Sequence, residues 1–290
     1  MYHRLGDPGP VPGKLTVSPQ RFAEHVEAIR ESFAPVQLAT IVEGLREGRL
    51  PRRSVAVTFD DGYVDNLLLG KPLLERFGVP ATVFVVSGYV GAAAQFWWDD
   101  LERICLEPPS LPPALELRIR GRPRAWATGE DRRALYRELR DALAPLARGE
   151  REALLAELRG WSGAGDSRSE AMTAEQLRSL AHGGMVEIGA HTVSHPRLPA
   201  LGPQQQLEEI RASRERLADL LGHEIGPFSY PFGAHDRTTV ESARAAGVTC
   251  GCTTVEDGVQ SSTDPYRLPR VYVGDWPPDQ LVAAVAARLR

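Results

Sequence analysis

The sequence contains little cysteine. Cys105, Cys250 and Cys252 are all there is in 290 residues, too few for a disulfide framework. Cys250 and Cys252 alternate within VTCGCTT, so on a strand they share one face as small buried residues, and no further metal ligands stand near them. No apolar run approaches the roughly 18 residues that a membrane-crossing helix needs. Positive charge is not in excess either. The 34 basic and 38 acidic residues leave a net charge of −4, without the basic stripe of a nucleic-acid binder. The opening MYHRLGDPGP lacks the basic and apolar regions of a secretory signal, which predicts a cytoplasmic protein, or an extracytoplasmic one if an upstream segment precedes it. No internal repeat is evident. What is present is a globular composition, 42% hydrophobic and 25% charged. A chain of this length can bury about three quarters of its unfolded surface.

The elements alternate. Ser18 followed by Pro19 reads as a helix start, and Phe22, Val26, Ile29 and Phe33 form its apolar face. A short helix follows over 40–47. SVAVTF (54–59) and ATVFVV (81–86) are buried strands, separated by a helix over 66–77 that Gly78 closes. VEIGAH (186–191), PFSYP (227–231) and VTCGCTT (248–254) are further strands, with helices over 206–222 and 238–246 between them. Such alternation predicts a parallel α/β fold with its site at the C-terminal strand ends. Residues 91–170 break the rhythm with Phe96, Trp97 and Trp98, a proline-rich stretch, and two leucine-bearing helical runs split by Pro145. They read as a helical insertion packed on one domain spanning residues 1–290.

Two motifs carry chemistry. TFDDG ends a strand at Asp60 and Asp61, and adjacent buried carboxylates resist joint ionisation unless a metal takes one and leaves the other as a base. Neighbours on a strand point apart, so both can face one pocket only if the strand has ended, as Gly62 suggests. HTVSH ends another strand, and His191 and His195, four apart, meet on one side of a helical turn. Position 192 is threonine, so the metalloprotease pattern is excluded. Asp61, His191 and His195 as three ligands leave a position open for water, the layout of a catalytic metal site.

On these motifs the sequence resembles the NodB-homology polysaccharide deacetylases, carbohydrate esterase family four. The resemblance implies a distorted (β/α) barrel of about seven strands, with Asp60 as catalytic base and Asp61, His191 and His195 binding one divalent metal. That metal is usually zinc, with cobalt, nickel or manganese as alternatives. The family's Arg-x-Pro-Tyr stretch is here Ser229-Tyr230-Pro231-Phe232-Gly233, with serine in place of arginine. This is similar to the variant of the circularly permuted poly-N-acetylglucosamine deacetylase subgroup. By that analogy the Phe232 amide helps hold the oxyanion and Tyr230 lines the groove. No histidine follows His235, so the family's late histidine acid is missing. The permuted subgroup carries it on the first strand, which implies His3 as the general acid, with His235 as its competitor. Arg270 resembles a late-strand arginine of the same subgroup and is expected to orient Asp60. Trp97 and Trp98 are candidates for a sugar-stacking wall. His25, His182 and His223 read as ordinary surface or packing residues.

The expected activity is hydrolysis of N-acetyl or similar acyl groups on amino sugars of a glycan, with no nucleic-acid partner and no transmembrane segment. A deacylase of a small molecule or nucleotide sugar is the alternative enzyme. A catalytically silent glycan-binding barrel is the non-enzymatic one, and a binding module has no use for a base beside a metal triad.

Overall fold

A computed structural model describes residues 1–7, 15–93, 95–129, 131–165 and 170–289. Pro8 to Pro10 of the opening segment, and Ala94, Glu130 and residues 166–169 of the expected insertion, lie outside the described residues. Five parallel strands form the central sheet: β1 (Val57–Phe59), β2 (Ala81–Val85), β3 (Val186–Ala190), β4 (Pro227–Ser229) and β5 (Cys250–Cys252), side by side in chain order. Their sequences are almost wholly apolar because both faces are covered, by the barrel interior and by the outer helices.

Two further extended segments close the ring. On one edge, the Tyr2 N–H donates to the Thr58 carbonyl at 2.8 Å and the Asp60 N–H to the Tyr2 carbonyl at 3.0 Å. On the other, the Leu268 N–H donates to Gly251 and the Thr253 N–H to Leu268, both at 2.8 Å. The two outer segments then meet. The Met1 ammonium donates to the Val271 carbonyl at 2.8 Å, and the Val273 N–H to the Met1 carbonyl at 3.2 Å. The barrel therefore has seven staves, the number the family resemblance implies, and its first and last staves are neighbours.

The helix over Pro19–Ser32 is capped by Ser18, whose hydroxyl accepts the Arg21 N–H at 3.3 Å. Its inner face is Phe22, His25, Val26 and Ile29, and His25 is a packing residue bonded to the Trp276 carbonyl at 2.7 Å. The expected helix after β1 is present but not uniform. Residues Asn66–Gly70 form a widened π turn before the α-helix Lys71–Phe77, which ends at Gly78 with φ +66°. Pro72 explains the change, since its missing N–H interrupts the regular ladder.

The insertion is more elaborate than expected. It comprises helices Trp97–Leu106, Arg132–Leu143 and Arg148–Ser162, and an antiparallel hairpin of Ala114–Ile119 with Arg122–Ala127. Its core, including Phe96, Trp97, Leu101, Leu139 and Leu158, is a cluster separate from the barrel core. No described helix is long and apolar enough to cross a membrane.

Candidate metal centre

Strand β1 ends at Phe59, and the backbone then turns left-handed at Asp61 (φ +75°) and Gly62 (φ +81°). This turn is what lets adjacent carboxylates share a pocket. Only glycine suits position 62, because a Cβ there would lie 3.1–3.2 Å from Val85 atoms as well as at positive φ. The HTVSH loop is strained in the same way, with Thr192 at φ +65° and His195 at φ +54°. Each such residue costs about 1–3 kcal/mol and persists only where its surroundings over-determine it. Here they do. The Thr192 hydroxyl accepts the His195 N–H at 2.9 Å, and the Ser213 hydroxyl donates to the Thr192 carbonyl at 2.9 Å. Glu209 accepts the N–H groups of Val193 and Ser194 at 2.9 Å and the Ser194 hydroxyl at 2.7 Å. Hydrogen bonds to a charged acceptor contribute about 1.5–3 kcal/mol each, enough to offset the strain.

Asp61, His191 and His195 are buried with donor atoms all within 4.8 Å of one another. Both imidazole Nε2 atoms lie 3.5 Å from Asp61 Oδ1. A tetrahedral site with bonds of about 2.0–2.1 Å has edges of about 3.4 Å, so the spacing fits a divalent ion between the three. His191 Nδ1 is 2.7 Å from the Ser229 carbonyl, which fixes that nitrogen as the N–H and turns the Nε2 lone pair towards Asp61. Burial alone would raise the Asp61 carboxyl, yet the histidines, His191 first, bring it below its ordinary value. Burial pushes His195 down to about 3 despite Asp61, so its imidazole is neutral. His191 moves the other way, since its bond to Asp61 outweighs burial. These three residues could bind a divalent metal.

Asp60 sits beside them with a different partner. Arg270 donates Nη1 to Oδ1 and Nη2 to Oδ2, both at 2.7 Å, in a two-pronged fork. Arg270 Nη2 also reaches Ser229 Oγ at 2.9 Å, and its Nε donates to the Thr253 carbonyl at 2.8 Å. Burial would raise the Asp60 carboxyl, but Arg270 overrides it and holds it well below the usual range. The guanidinium on Asp60 thus comes from the last stave, beside the small Ser229. His3 follows Tyr2 on the first stave, level with Asp60. Tyr2 is bridged to Phe59, so the next residues along, His3 and Asp60, are neighbours; burial lowers the His3 pKa, against the pull of Asp61 and Asp60. Its Nδ1 is buried and without a partner among the described residues. His235 lies elsewhere, stacked on Tyr230 at 5.3 Å with Nδ1 on the Gly233 carbonyl at 2.8 Å.

Three expected wall residues fall differently. The Tyr230 side chain is fully buried and donates to the Tyr266 carbonyl at 2.9 Å, so it lines no groove. Trp97 is buried too. Its indole N–H points at the His195 carbonyl at 3.4 Å and its ring carries the Arg151 guanidinium at 4.7 Å, which makes it a buttress rather than a sugar platform. Both were drawn into the core by neighbouring apolar side chains. Trp98 does face the site, with its ring 4.3 Å from that of His195. Its N–H donates to the Tyr63 hydroxyl at 2.7 Å, which in turn donates to Asp99 at 2.9 Å. Phe232 (φ +59°) packs its ring 4.7 Å from His195.

Sequence reasoning missed Arg151 and Glu209. Arg151, fully buried on the insertion's last helix, donates to the Ser194 carbonyl, while Glu209 takes the amides of the same loop from the barrel side. Neither belongs to a local motif, and only the tertiary fold brings them to the loop.

The family model described as polysaccharide deacetylase matches residues 47–110 and 158–251, leaving 111–157 in the insertion unmatched. The Bacillus subtilis protein YxkH is 20% identical over 277 residues, covering 94% of this chain and 70% of that protein. The poly-beta-1,6-N-acetyl-D-glucosamine N-deacetylase of Escherichia coli K12 is 38% identical over 85 residues, 26% of this chain and only 13% of that enzyme. Among solved structures, the Streptococcus pyogenes deacetylase PplD in complex with acetate aligns with a TM-score of 0.66 at 18% identity, covering 100% of this chain and 96% of that one. IcaB from Ammonifex degensii aligns at 0.61 and 20% identity, covering 98% and 94%. These structural likenesses concern the fold.

Proposed function

Because this chain belongs to the polysaccharide deacetylase family, we propose that it is a metal-dependent hydrolase that removes N-acetyl groups from the amino sugars of a glycan. The observation that carries the reading is the meeting of two unlike sites in one pocket. An Asp-His-His triad is spaced for an ion, and beside it lies a carboxylate kept ionised by its own arginine. Asp61, His191 and His195 would hold the ion, with zinc the best match to this ligand set. When bound, it polarises the amide carbonyl and makes water a nucleophile near neutral pH.

The chain's own residues do the rest. Asp60, ionised and unable to swing because of the Arg270 fork, takes the proton from the attacking water. The Phe232 amide donates to the oxygen on which negative charge develops. His3, across the pocket, gives a proton to the nitrogen of the departing amine, which is otherwise a very poor leaving group. Trp98, fixed through Tyr63 and Asp99, walls the pocket on the His195 side. The test is acetate release from N-acetylated oligosaccharides by chelated protein and by protein reloaded with zinc. Release only after reloading is the expected result. Equal release by thoroughly chelated protein, with no metal found on analysis, would overturn the reading.

A further inference from the structure

The densest positive charge outside the site is at the tip of the insertion's hairpin. Arg118, Arg120, Arg122 and Arg124 are all exposed along RIRGRPR. The hairpin Ala114–Ala127 holds these four arginines and one acid, Glu116, a local charge of +3 in a chain whose net charge is −4. The guanidinium groups of Arg118 and Arg120 donate to the carbonyls of Gly121 and Pro145, the Arg120 backbone N–H donates to Glu150 Oε1 at 3.0 Å, and Arg124 lies over the Trp126 ring. Among the described residues no carboxylate pairs with any of the four guanidinium groups. Turn chemistry does not explain an arginine at position 120. Its φ is +50° and that of Gly121 is +75°, a two-residue turn whose first position favours asparagine or glycine. A cation is held there against backbone preference.

The charge also leads somewhere. Arg120 Nη2 donates to the Pro145 carbonyl at 2.6 Å, and the adjoining Ala144 carbonyl accepts the Arg197 N–H at 2.8 Å. The Arg197 guanidinium lies 5.2 Å above the Phe232 ring, which packs against His195. Like the hairpin arginines, Arg197 has no carboxylate partner among the described residues. A cationic path thus runs from the hairpin to the rim of the metal pocket. The hairpin's large apolar side chains Leu115, Leu117 and Trp126 are buried in the insertion and Ile119 is half-buried against the same cluster, so the tip offers little to insert into lipid.

We propose that the hairpin is a docking arm for negative charges on the substrate itself. The glycan would carry carboxylate groups along its chain, one stretch lying at the metal rim and the next along Arg197 and the hairpin. Arginine forks match carboxylates closely. The proposal rests on the reading of the site as a glycan deacetylase, and its test separates the two.

The zinc-loaded enzyme is given two N-acetylated oligosaccharides of equal length at low and high salt. One is a neutral N-acetylglucosamine oligomer, and the other alternates N-acetylglucosamine with glucuronate. The expected result is a KM for the acidic oligomer about tenfold below that for the neutral one, an advantage that high salt removes. Replacing Arg118→Gln, Arg122→Gln and Arg124→Gln together should raise the acidic KM about tenfold, the combined loss of three exposed ion pairs. The same variant should leave kcat and the neutral KM unchanged. Equal KM values for both oligomers, or an acidic KM unmoved in the variant, overturn the arm. Binding of phosphatidylglycerol vesicles by wild type and not by the variant, without any preference between oligomers, assigns the arginines to a membrane instead. If neither oligomer releases acetate, the proposed activity fails, and calorimetric binding of the acidic oligomer to wild type and variant still decides the arm.

Discussion

Two buried aspartates, one in the insertion and one at the barrel rim, are held in contrasting ways. Asp100 is gripped at short range by Arg103 at 2.8 Å and Arg159 at 2.6 Å. Asp61, equally buried, has two imidazoles, each 3.5 Å away, and no arginine among the described residues. In the insertion the protein supplies the counter-charge itself, and the carboxylate is a structural tie. At the rim two imidazoles stand where the insertion has guanidinium groups, which leaves room for an ion between them and the carboxylate. Asp60 shares the rim but is held like Asp100, by a guanidinium fork at 2.7 Å. The contrast is consistent with the proposed division of ligand and base between adjacent residues of one strand end.

The contrast breaks most visibly at the triad. His191→Ala should abolish both metal binding and activity, whereas Asp100→Asn should spare the metal and lower unfolding free energy by about 3–5 kcal/mol, the usual cost of stranding one side of a buried ion pair. Metal analysis and denaturant titration of both variants decide it. Asp60→Asn should retain the metal yet lose about 10²–10⁴-fold in turnover. Metal loss there would exchange the roles of the two aspartates. His3→Ala should lower turnover by about 10²-fold with the metal kept, and His235→Ala should do much less. Arg151→Met removes the insertion's grip on the Ser194 carbonyl, and metal affinity should weaken about 10–100-fold, read by competition with a chromophoric chelator.

The smallest effect has the most informative sign. In the wild type the Asp60 carboxyl lies below its ordinary value of 3.8 because Arg270 outweighs burial, so its contribution to stability is present above that value and is lost as pH falls through the folded one. In Arg270→Met only His191 and His3 still oppose burial, and the folded value is expected to rise above the ordinary one. Stability then declines as pH climbs from acid towards neutral. Thermal melts of the metal-free pair across pH 3–7 should show the variant's deficit widening with pH, and a constant deficit would remove Asp60 as the group responsible.

Much of the barrel was legible because buried parallel strands leave unbroken β-branched runs, as in SVAVTF and ATVFVV, and because both acidic and histidine motifs sit at strand ends. The Asp60–Arg270 fork was readable only through the family resemblance, since no local pattern joins residues so far apart. The insertion was less legible. Its first helix places Trp97, Leu101, Ile104 and Cys105 on one face, a helical spacing that the aromatic run at its start disguised. The hairpin advertised itself by Gly121 alone, because Arg120 takes a conformation that its chemistry does not favour. Tyr230 and Trp97 read as groove residues because residue type does not say which way a side chain turns. Packing against Phe228 and Arg151 decided that.

The meeting of first and last staves has a consequence for synthesis. Asp60 and Arg270 are 210 residues apart, and the Met1–Val271 bond spans 270. At about 5–20 residues per second, roughly 10–40 s separate translation of the aspartate from that of its arginine. Through that interval the nascent chain carries a carboxylate destined for a dry pocket with no cation yet made to meet it. The barrel therefore cannot close stably stave by stave behind the ribosome. The outer edge of its first stave must wait, unpaired, until the far end of the chain arrives.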